Sequence, residues 1–280
     1  MLNFCEVVTS RQNPTVKRIC SLAEKKKRHA EGLFRFDGIK LFREAAQCGI
    51  CIEYAVIRED VSGEIEACVA DAIKCGKLAK NAIFRVSESV FEKISEERSP
   101  EGIITVARFP ENVVRHDGES IKLYTKEKIL LAESIRDAGN LGTVIRSCAA
   151  LGIERLIISD DCADVYNPKT IRAAMGGIFR LSIDIYPTEK MADVIRAQRE
   201  GGKSVYAAAL KEGAMKIGED GFSKDACFVI GNEGHGLSDG VIDACDACAI
   251  IPMSEGSESL NAAAAAAICI WETVRMAEKQ

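Results

Sequence analysis

Apolar residues along this chain fall into two alternating rhythms, short unbroken runs and helical stripes, and that alternation predicts an α/β protein. Leu33–Phe36, Tyr54–Ile57, Ile83–Val86 and Ile103–Ala107 read as strands, with Ile39–Gln47, Ile65–Lys74 and Ser89–Ser95 as the helices between them. Ser87 is placed to cap the last of these helices. An earlier helix opens at Asn13-Pro14, where Asn can cap and Pro suits the first helical position. It carries Val16, Ile19, Cys20 and Ala23 at helical spacing and closes at Gly32. Strands separated by helices of this length imply a small parallel or mixed sheet, so residues 1–108 are expected to form one domain.

Pro110 to Thr125 is polar, charged and without a clear period, which places a linker at residues 109–125. A second domain, residues 126–280, then starts with a buried-strand pattern at Ile129–Ala132. A glycine turn at Gly139 and Gly142 follows, and then a helix with Leu141, Val144, Ile145, Cys148 and Leu151 on its apolar face. Asn140 stands at or near the start of that helix and Arg146 projects from another part of its first two turns. A helix amino terminus beside a cationic side chain suits anion binding. From spacing alone, a capping Asn and a surface Arg are the better account. Further on, Arg155–Ser159, Phe179–Ile185 and Val205–Leu210 read as strands. Helices are expected from Asn167-Pro168 to Met175, over Met191–Arg199, and over Leu260–Glu278, which begins in an alanine run.

The stretch from Phe228 to Asn261 organises this half. Two short apolar runs, one at Phe228 and one at Ile250, each break into a turn rich in Gly, Ser, Asn and Glu. Such runs suit buried strands, and the glycines let the main chain approach a ligand closely. Two such turns side by side would make a backbone-lined pocket at the carboxyl ends of the strands, where open α/β sheets bind ligands. Neither glycine turn is a dinucleotide fingerprint. The Gly139/Gly142 turn lacks the third glycine in register, although Asp160 and Asp161 keep a Rossmann reading open, and the glycines from Gly231 to Gly236 fall at intervals of three and two.

Composition adds bounds. The chain has 280 residues, 47% hydrophobic and 28% charged, as in a soluble globular protein with ample core. No apolar run approaches the ~20 residues needed to cross a bilayer. Met1-Leu-Asn-Phe-Cys-Glu-Val-Val lacks a charged region followed by an apolar one, so no export signal and a cytoplasmic location are expected. The 12 cysteines sit mostly inside apolar patterns. The pairs Cys48/Cys51 and Cys245/Cys248 have the C-x-x-C spacing of zinc ligands, but matched local spacing and supporting His are missing, so buried free thiols are expected and no metal. Net charge is -5, yet residues 1–50 carry ten Lys and Arg against five acids, densest at Lys25, Lys26, Lys27 and Arg28. On charge alone that is either a phosphate-facing patch or a solvated helix end.

Three blocks together carry a resemblance. Asn140-Leu-Gly-x-x-x-Arg146, Gly231-Asn-Glu-Gly-x-Gly-Leu237 and Ile251-Pro-Met-x-x-x-x-x-Ser259-Leu-Asn261 resemble, in order and separation, the motifs of the SpoU/TrmH family of RNA ribose 2'-O-methyltransferases. Residues 1–106 resemble more loosely that family's ribosomal-protein-like substrate-binding extension, through Phe36-Asp-Gly-Ile-Lys40 and Ser99-Pro-Glu-Gly-Ile103. The resemblance implies a SPOUT α/β domain with a deep trefoil knot, working as a homodimer on RNA, with S-adenosylmethionine held in the knot.

It further implies that Gly231, Ile251, Met253, Leu260 and Gly236 bind the cofactor, largely through backbone. Arg146 would act at the ribose hydroxyl, with Asn140, Glu233, Ser259 and Asn261 completing the catalytic group. Lys25, Lys26, Lys27 and Arg28 would then hold RNA. His235 stands at a tolerant motif position and reads as an exposed loop residue. Arginine is too basic to act readily as a literal base, so Arg146 is assigned to developing alkoxide charge, with an RNA phosphate as one candidate proton acceptor. The extension favours ribosomal over transfer RNA. Two rivals remain: a non-catalytic RNA-binding protein retaining the fold, and a SPOUT enzyme that methylates a base.

Overall fold

The structure is a computed structural model, and residues 7–232, 234–254 and 259–278 are described. The chain divides into two compact units. One joins residues 1–111 with Tyr166–Phe179; the other joins Asn112–Val165 with residues 180–280.

The first unit runs α1 (Pro14–Ser21), α2 (Lys25–Glu31), β1 (Leu33–Asp37), α3 (Ile39–Gln47), β2 (Ile52–Arg58), α4 (Gly63–Lys74), β3 (Ile83–Val86), α5 (Glu88–Ile94) and β4 (Ile103–Arg108). Its sheet has the order β1-β4-β2-β3, with β4 antiparallel to both neighbours and β2 parallel to β3, a mixed sheet. Alternation along the strands sorts residues to two faces. Val56, Ile104 and Val106 pack with Val16, Ile19, Val90, Phe91 and Ile94 of α1 and α5. Ala55, Ile57 and Ile103 pack with Phe42, Ile65 and Val69 of α3 and α4. The two stretches that carried the weaker resemblance meet here, since Glu101 Oε2 accepts from the Ile39 N–H at 2.7 Å and so caps α3.

The sequence pattern predicts one helix from Pro14 to Gly32, but the helix breaks between Ser21 and Lys25, and Arg28 supplies the reason. Its side chain is folded back and only 1% exposed, and Nη1 donates to the carbonyls of Leu22 (2.8 Å) and Ala23 (2.6 Å) at the end of α1. Arg28 is therefore a buried C-terminal cap rather than a member of an RNA-facing cluster. Lys25, Lys26 and Lys27 remain exposed on α2.

The second unit runs β5 (Val113–Arg115), β6 (Ile129–Ala132), α6 (Ala138–Leu151), β7 (Arg155–Ser159), β8 (Ser182–Tyr186), α8 (Met191–Glu200), β9 (Ser204–Ala208), β10 (Met215–Lys216), β11 (Ala226–Ile230), α9 (Asp239–Ala244), β12 (Ala247–Ile250) and α10 (Ala262–Glu278). The intervening α7 (Pro168–Ala174) lies in the first unit, capped by Asn167, whose side chain accepts from the Lys169 N–H. The sheet order is β10-β12-β9-β11-β6-β7-β8-β5 and every described pairing is parallel. Strands β6, β7 and β8 run outward in sequence, whereas β11 is inserted between β9 and β6. The chain's progress across the sheet therefore reverses at the β6/β11 boundary, and such a switch point opens a crevice at the carboxyl ends of the strands. One face is covered by α8 and α9, which bury Met191, Val194, Ile195 and Val241 against Ile129, Leu131, Val205 and Val229. On the other, α10 packs on α6 and β11.

The edge strand β5 lies within the stretch that sequence periodicity assigns to a linker. Val113-Val-Arg115 is too short to announce itself, and its place is fixed from outside. It pairs with β8, and His116 beside it reaches the fully buried Asp184 at 2.5 Å while stacking on Tyr186 at 4.2 Å between ring centres. Asp184 also accepts from Arg155, whose guanidinium lies 4.1 Å over the Tyr124 ring. No helix among the described residues is long and apolar enough to cross a membrane.

Candidate active site

β11 delivers the chain to Gly231, where a side chain has no room. A Cβ there would stand 2.4 Å from the Gly236 carbonyl carbon, 2.5 Å from its oxygen and 2.6 Å from the Leu237 nitrogen. The turn that follows doubles back that tightly because Asn232 ties it shut. Asn232 N donates to Gly236 O at 3.0 Å and Gly236 N donates to Asn232 O at 2.9 Å. Its side-chain Oδ1 accepts from the N–H groups of Gly234 (2.8 Å) and His235 (3.3 Å), and Nδ2 donates to Ser134 O at 2.9 Å. Asn serves turns in this way because its short amide mimics a backbone group. Gly236 itself adopts φ +68, the left-handed region.

From β12 the second turn carries Ile251 and Met253, and Ser259 and Leu260 lead into α10. The two turns and the end of β9 enclose a cavity of about 390 Å³. All five residues assigned to the cofactor, Gly231, Gly236, Ile251, Met253 and Leu260, line it, and so does Ser259. Ala208, Ala249 and Ala265 add small apolar walls. His235 is exposed, as expected, yet it also stands on the cavity's lining. The volume lies within the roughly 300–1,000 Å³ of small-molecule sites. A wall of glycine backbone and alanine methyls suits a flat heteroaromatic ring with a polar tail.

Beside the cavity, Asn261 Oδ1 accepts from the N–H groups of Ala263 (3.0 Å) and Ala264 (3.3 Å), capping α10. With the oxygen so engaged, its Nδ2 turns outward and donates to Asn140 Oδ1 at 3.0 Å. Two motif residues 121 positions apart are thereby joined. Asn140 is not the helix cap. Asp137 is, accepting from the Asn140 N–H at 2.9 Å, which leaves the Asn140 side chain for the site. Arg146 is exposed on α6, and its guanidinium makes no hydrogen bond or ion pair with any other described residue. Glu233 lies outside the described residues. The lysines at 25–27 belong to the first unit and are exposed on α2.

Two carboxylates that the sequence pattern did not assign to this site brace the turn. Asp161 follows β7 and accepts from Ser134 Oγ (2.6 Å), Ser159 Oγ (2.6 Å), Thr188 Oγ1 (3.0 Å) and Arg136 (3.3 Å). Burial pushes its carboxyl upward, but those donors together hold it below the ordinary carboxylate value. Glu133 closes β6 and is 4% exposed. Its one sequence signal is an acid directly after a four-residue apolar run. The thiols of Cys162, Cys245 and Cys269 are buried, and burial pushes them up to about 11, 12 and 12, so they stay protonated and unreactive. Cys51 and Cys75, by contrast, are exposed.

Comparison with known proteins gives matching results over both halves. Residues 127–271 match the SpoU rRNA Methylase family, and residues 13–105 match the MRM3-like substrate binding domain. The chain is 30% identical, over 94% of its length and 97% of the relative's, to the 23S rRNA (guanosine(2553)-2'-O)-methyltransferase RlmP of Bacillus subtilis. Among solved structures it is similar to an AdoMet-bound rRNA methyltransferase from Sinorhizobium meliloti (31% identity, TM-score 0.80, 96% and 97% of the two chains). It is also similar to the SpoU methyltransferase AviRb from Streptomyces viridochromogenes in complex with AdoMet (25% identity, TM-score 0.74, 94% and 98%).

Proposed function

The chain belongs to the SpoU rRNA methylase family, and on that footing we propose that it transfers a methyl group from S-adenosylmethionine to a ribose 2'-hydroxyl of ribosomal RNA. The observation that carries this reading is a cavity lined by described residues of both the Gly231–Leu237 and Ile251–Leu260 stretches, beside the Asn140–Asn261 pair. Its fit to the methyl donor rests on walls of main chain and small apolar groups, among them Gly231, which packs too closely on Gly236 and Leu237 to carry any side chain.

When bound, the donor supplies a methyl activated by positively charged sulfur. The protein's remaining work is to place a weakly acidic hydroxyl and to stabilise the charge it develops. Arg146, exposed and without a partner among the described residues, is available to that oxyanion as a cation that does not give up its proton. The Asn140–Asn261 amides fix the approach to it, and Ser259 and Glu233 complete the group. Binding of the donor should therefore survive loss of Arg146, whereas transfer should not.

The first unit holds the RNA, with Lys25, Lys26 and Lys27 as phosphate contacts. The second adopts the knotted SPOUT arrangement and pairs with a second copy. Ala264, Ile268 and Trp271 support that pairing, because they form a stripe on α10 in which Trp271 is 57% exposed. The protein acts in the cytoplasm, a reading supported by its many free thiols.

The deciding experiment incubates the enzyme with ribosomal RNA and labelled donor, then hydrolyses the product in alkali. A methylated 2'-oxygen blocks cleavage of its own linkage, so label in alkali-resistant dinucleotides supports the reading. Label released in mononucleotides would identify a base methyltransferase. Absence of donor binding by calorimetry would identify a non-catalytic RNA-binding protein.

A further inference from the structure

The turn that forms one wall of the cavity is held at both ends by two consecutive residues following β6. At its start, the Asn232 amide donates to the Ser134 carbonyl. Ser134 adopts the left-handed conformation, φ 58, and is fixed there by Ser159 and Asp161. At its end, Ser238 N donates to Glu133 Oε2 at 2.8 Å and Ser238 Oγ donates to Glu133 Oε1 at 2.7 Å. The Glu133 N–H itself donates to Ile230 O at 2.8 Å, directly before the turn begins.

Two details set the Ser238 contact apart from ordinary packing. Ser238 is the N-cap residue of α9, where a serine hydroxyl would normally accept from the helix's own N–H groups, yet it makes no such bond and turns to Glu133 instead. Glu133 is a carboxylate at 4% exposure, and among the described residues Ser238 alone satisfies its two oxygens and no cation pairs with it. A buried carboxylate and a diverted helix cap both oppose stability, so the arrangement is better explained by what it fixes. It fixes Gly236 and Leu237, the atoms against which Gly231 packs without clearance and which face the cavity.

We propose that Glu133 is a positioning residue for the methyl donor: its carboxylate latches Ser238 and thereby holds the Gly231–Leu237 wall in the shape that admits the cofactor. Glu133 lines no part of the cavity and acts only through Ser238. The proposal rests on the assignment of this cavity to S-adenosylmethionine.

Calorimetry with S-adenosylmethionine and with its demethylated product, on the full chain, tests it. Glu133→Ala frees Ser238 and is expected to weaken both ligands roughly tenfold or more. Glu133→Gln keeps the latch, because the amide oxygen accepts from Ser238 N–H while the amide nitrogen donates to a rotated Ser238 hydroxyl. It is expected to restore affinity to within roughly threefold of wild type. In steady state the loss appears in the KM for the donor, with kcat at saturating donor and RNA affinity preserved. A merely structural role would instead lower Tm in both variants and leave both ligand affinities unchanged. A folded Glu133→Ala protein with wild-type affinity overturns the proposal, as does Glu133→Gln binding as weakly as Glu133→Ala. Should Glu133→Ala fail to fold, Ser238→Ala, which keeps the N–H bond, must still weaken binding severalfold, and unchanged affinity there overturns the latch. If the wild-type protein itself binds no donor, the cofactor assignment falls first and the latch with it.

Discussion

Gly231→Ala is the sharpest perturbation the site offers, because the clash is with main chain rather than with a side chain that could swing away. The new methyl would lie 2.4 Å from the Gly236 carbonyl carbon, against the 3.0 Å below which real Cβ contacts essentially do not occur. The Gly236–Leu237 backbone must therefore recede by about half an ångström, and well-packed surroundings resist that. Overpacking of this kind costs ~1–3 kcal/mol. The segment that must move is the cavity wall, so much of that cost falls on the bound state. It corresponds to a donor affinity roughly 5- to 150-fold weaker. Part will also appear as lost stability, at about 2–4 °C in Tm per kcal/mol for a chain of this size class. Calorimetry with the donor and differential scanning calorimetry measure the two shares. Gly234→Ala is the control, since its Cβ would meet only the Asn232 Oδ1 at an ordinary 3.4 Å, and near-neutral binding is expected. Gly236→Ala meets nothing but must hold φ +68, so it should cost about 1–2 kcal/mol through conformation alone. If Gly231→Ala binds the donor as wild type does, the close-packed wall is not part of the cofactor site and the reasoning fails.

Arg146→Ala should abolish methyl transfer, by roughly a hundredfold or more, while the donor's Kd from calorimetry stays near wild type; full activity would remove Arg146 from the chemistry. Reversing charge at Lys25, Lys26 and Lys27 should weaken RNA binding and flatten its dependence on salt in a filter-binding titration, and unchanged affinity at low salt would make that helix face merely solvated. Arg28→Ala, next to Lys27 in the chain but buried, should instead lower stability by ~1.5–3 kcal/mol through the two carbonyls it leaves without their charged donor, with RNA affinity unaltered in the folded protein. Asp161 predicts an acid limb. Its folded carboxyl titrates below the ordinary 3.8, so its contribution to stability is present above that value and lost as pH falls through the lower folded one. The Tm difference between wild type and Asp161→Asn should thus be widest near neutrality and shrink below about pH 4, and a constant difference across that range would contradict the assignment.

The chain's periodicity determined most of the architecture, because a strand buried on both faces and an amphipathic helix leave local signatures. Ile83–Val86, Ile129–Ala132 and Arg155–Ser159 are strands over the very residues that the apolar runs mark. The two glycine-rich turns were also legible, since their composition reports a backbone demand that is local. What the pattern could not carry was any feature whose cause lies far along the chain. Val113–Arg115 is a strand only because β8 offers it an edge and Asp184 a partner for His116. Arg28 reads as one more cation in a basic run until α1 presents two unpaired carbonyls to it.

The same division holds inside the site. Sequence alone picked out Asn140 and Asn261, but their 3.0 Å hydrogen bond, and the transfer of the capping role to Asp137, needed the fold. Glu133 looked like an ordinary acid at a strand end, and Asp161 stood out only for a dinucleotide-binding role. Only the insertion of β11 beside β6 sets Glu133 against the turn it braces, while Asp161 acts on that turn through Ser134, because hydrogen bonds between residues distant along the chain leave no periodic trace in it.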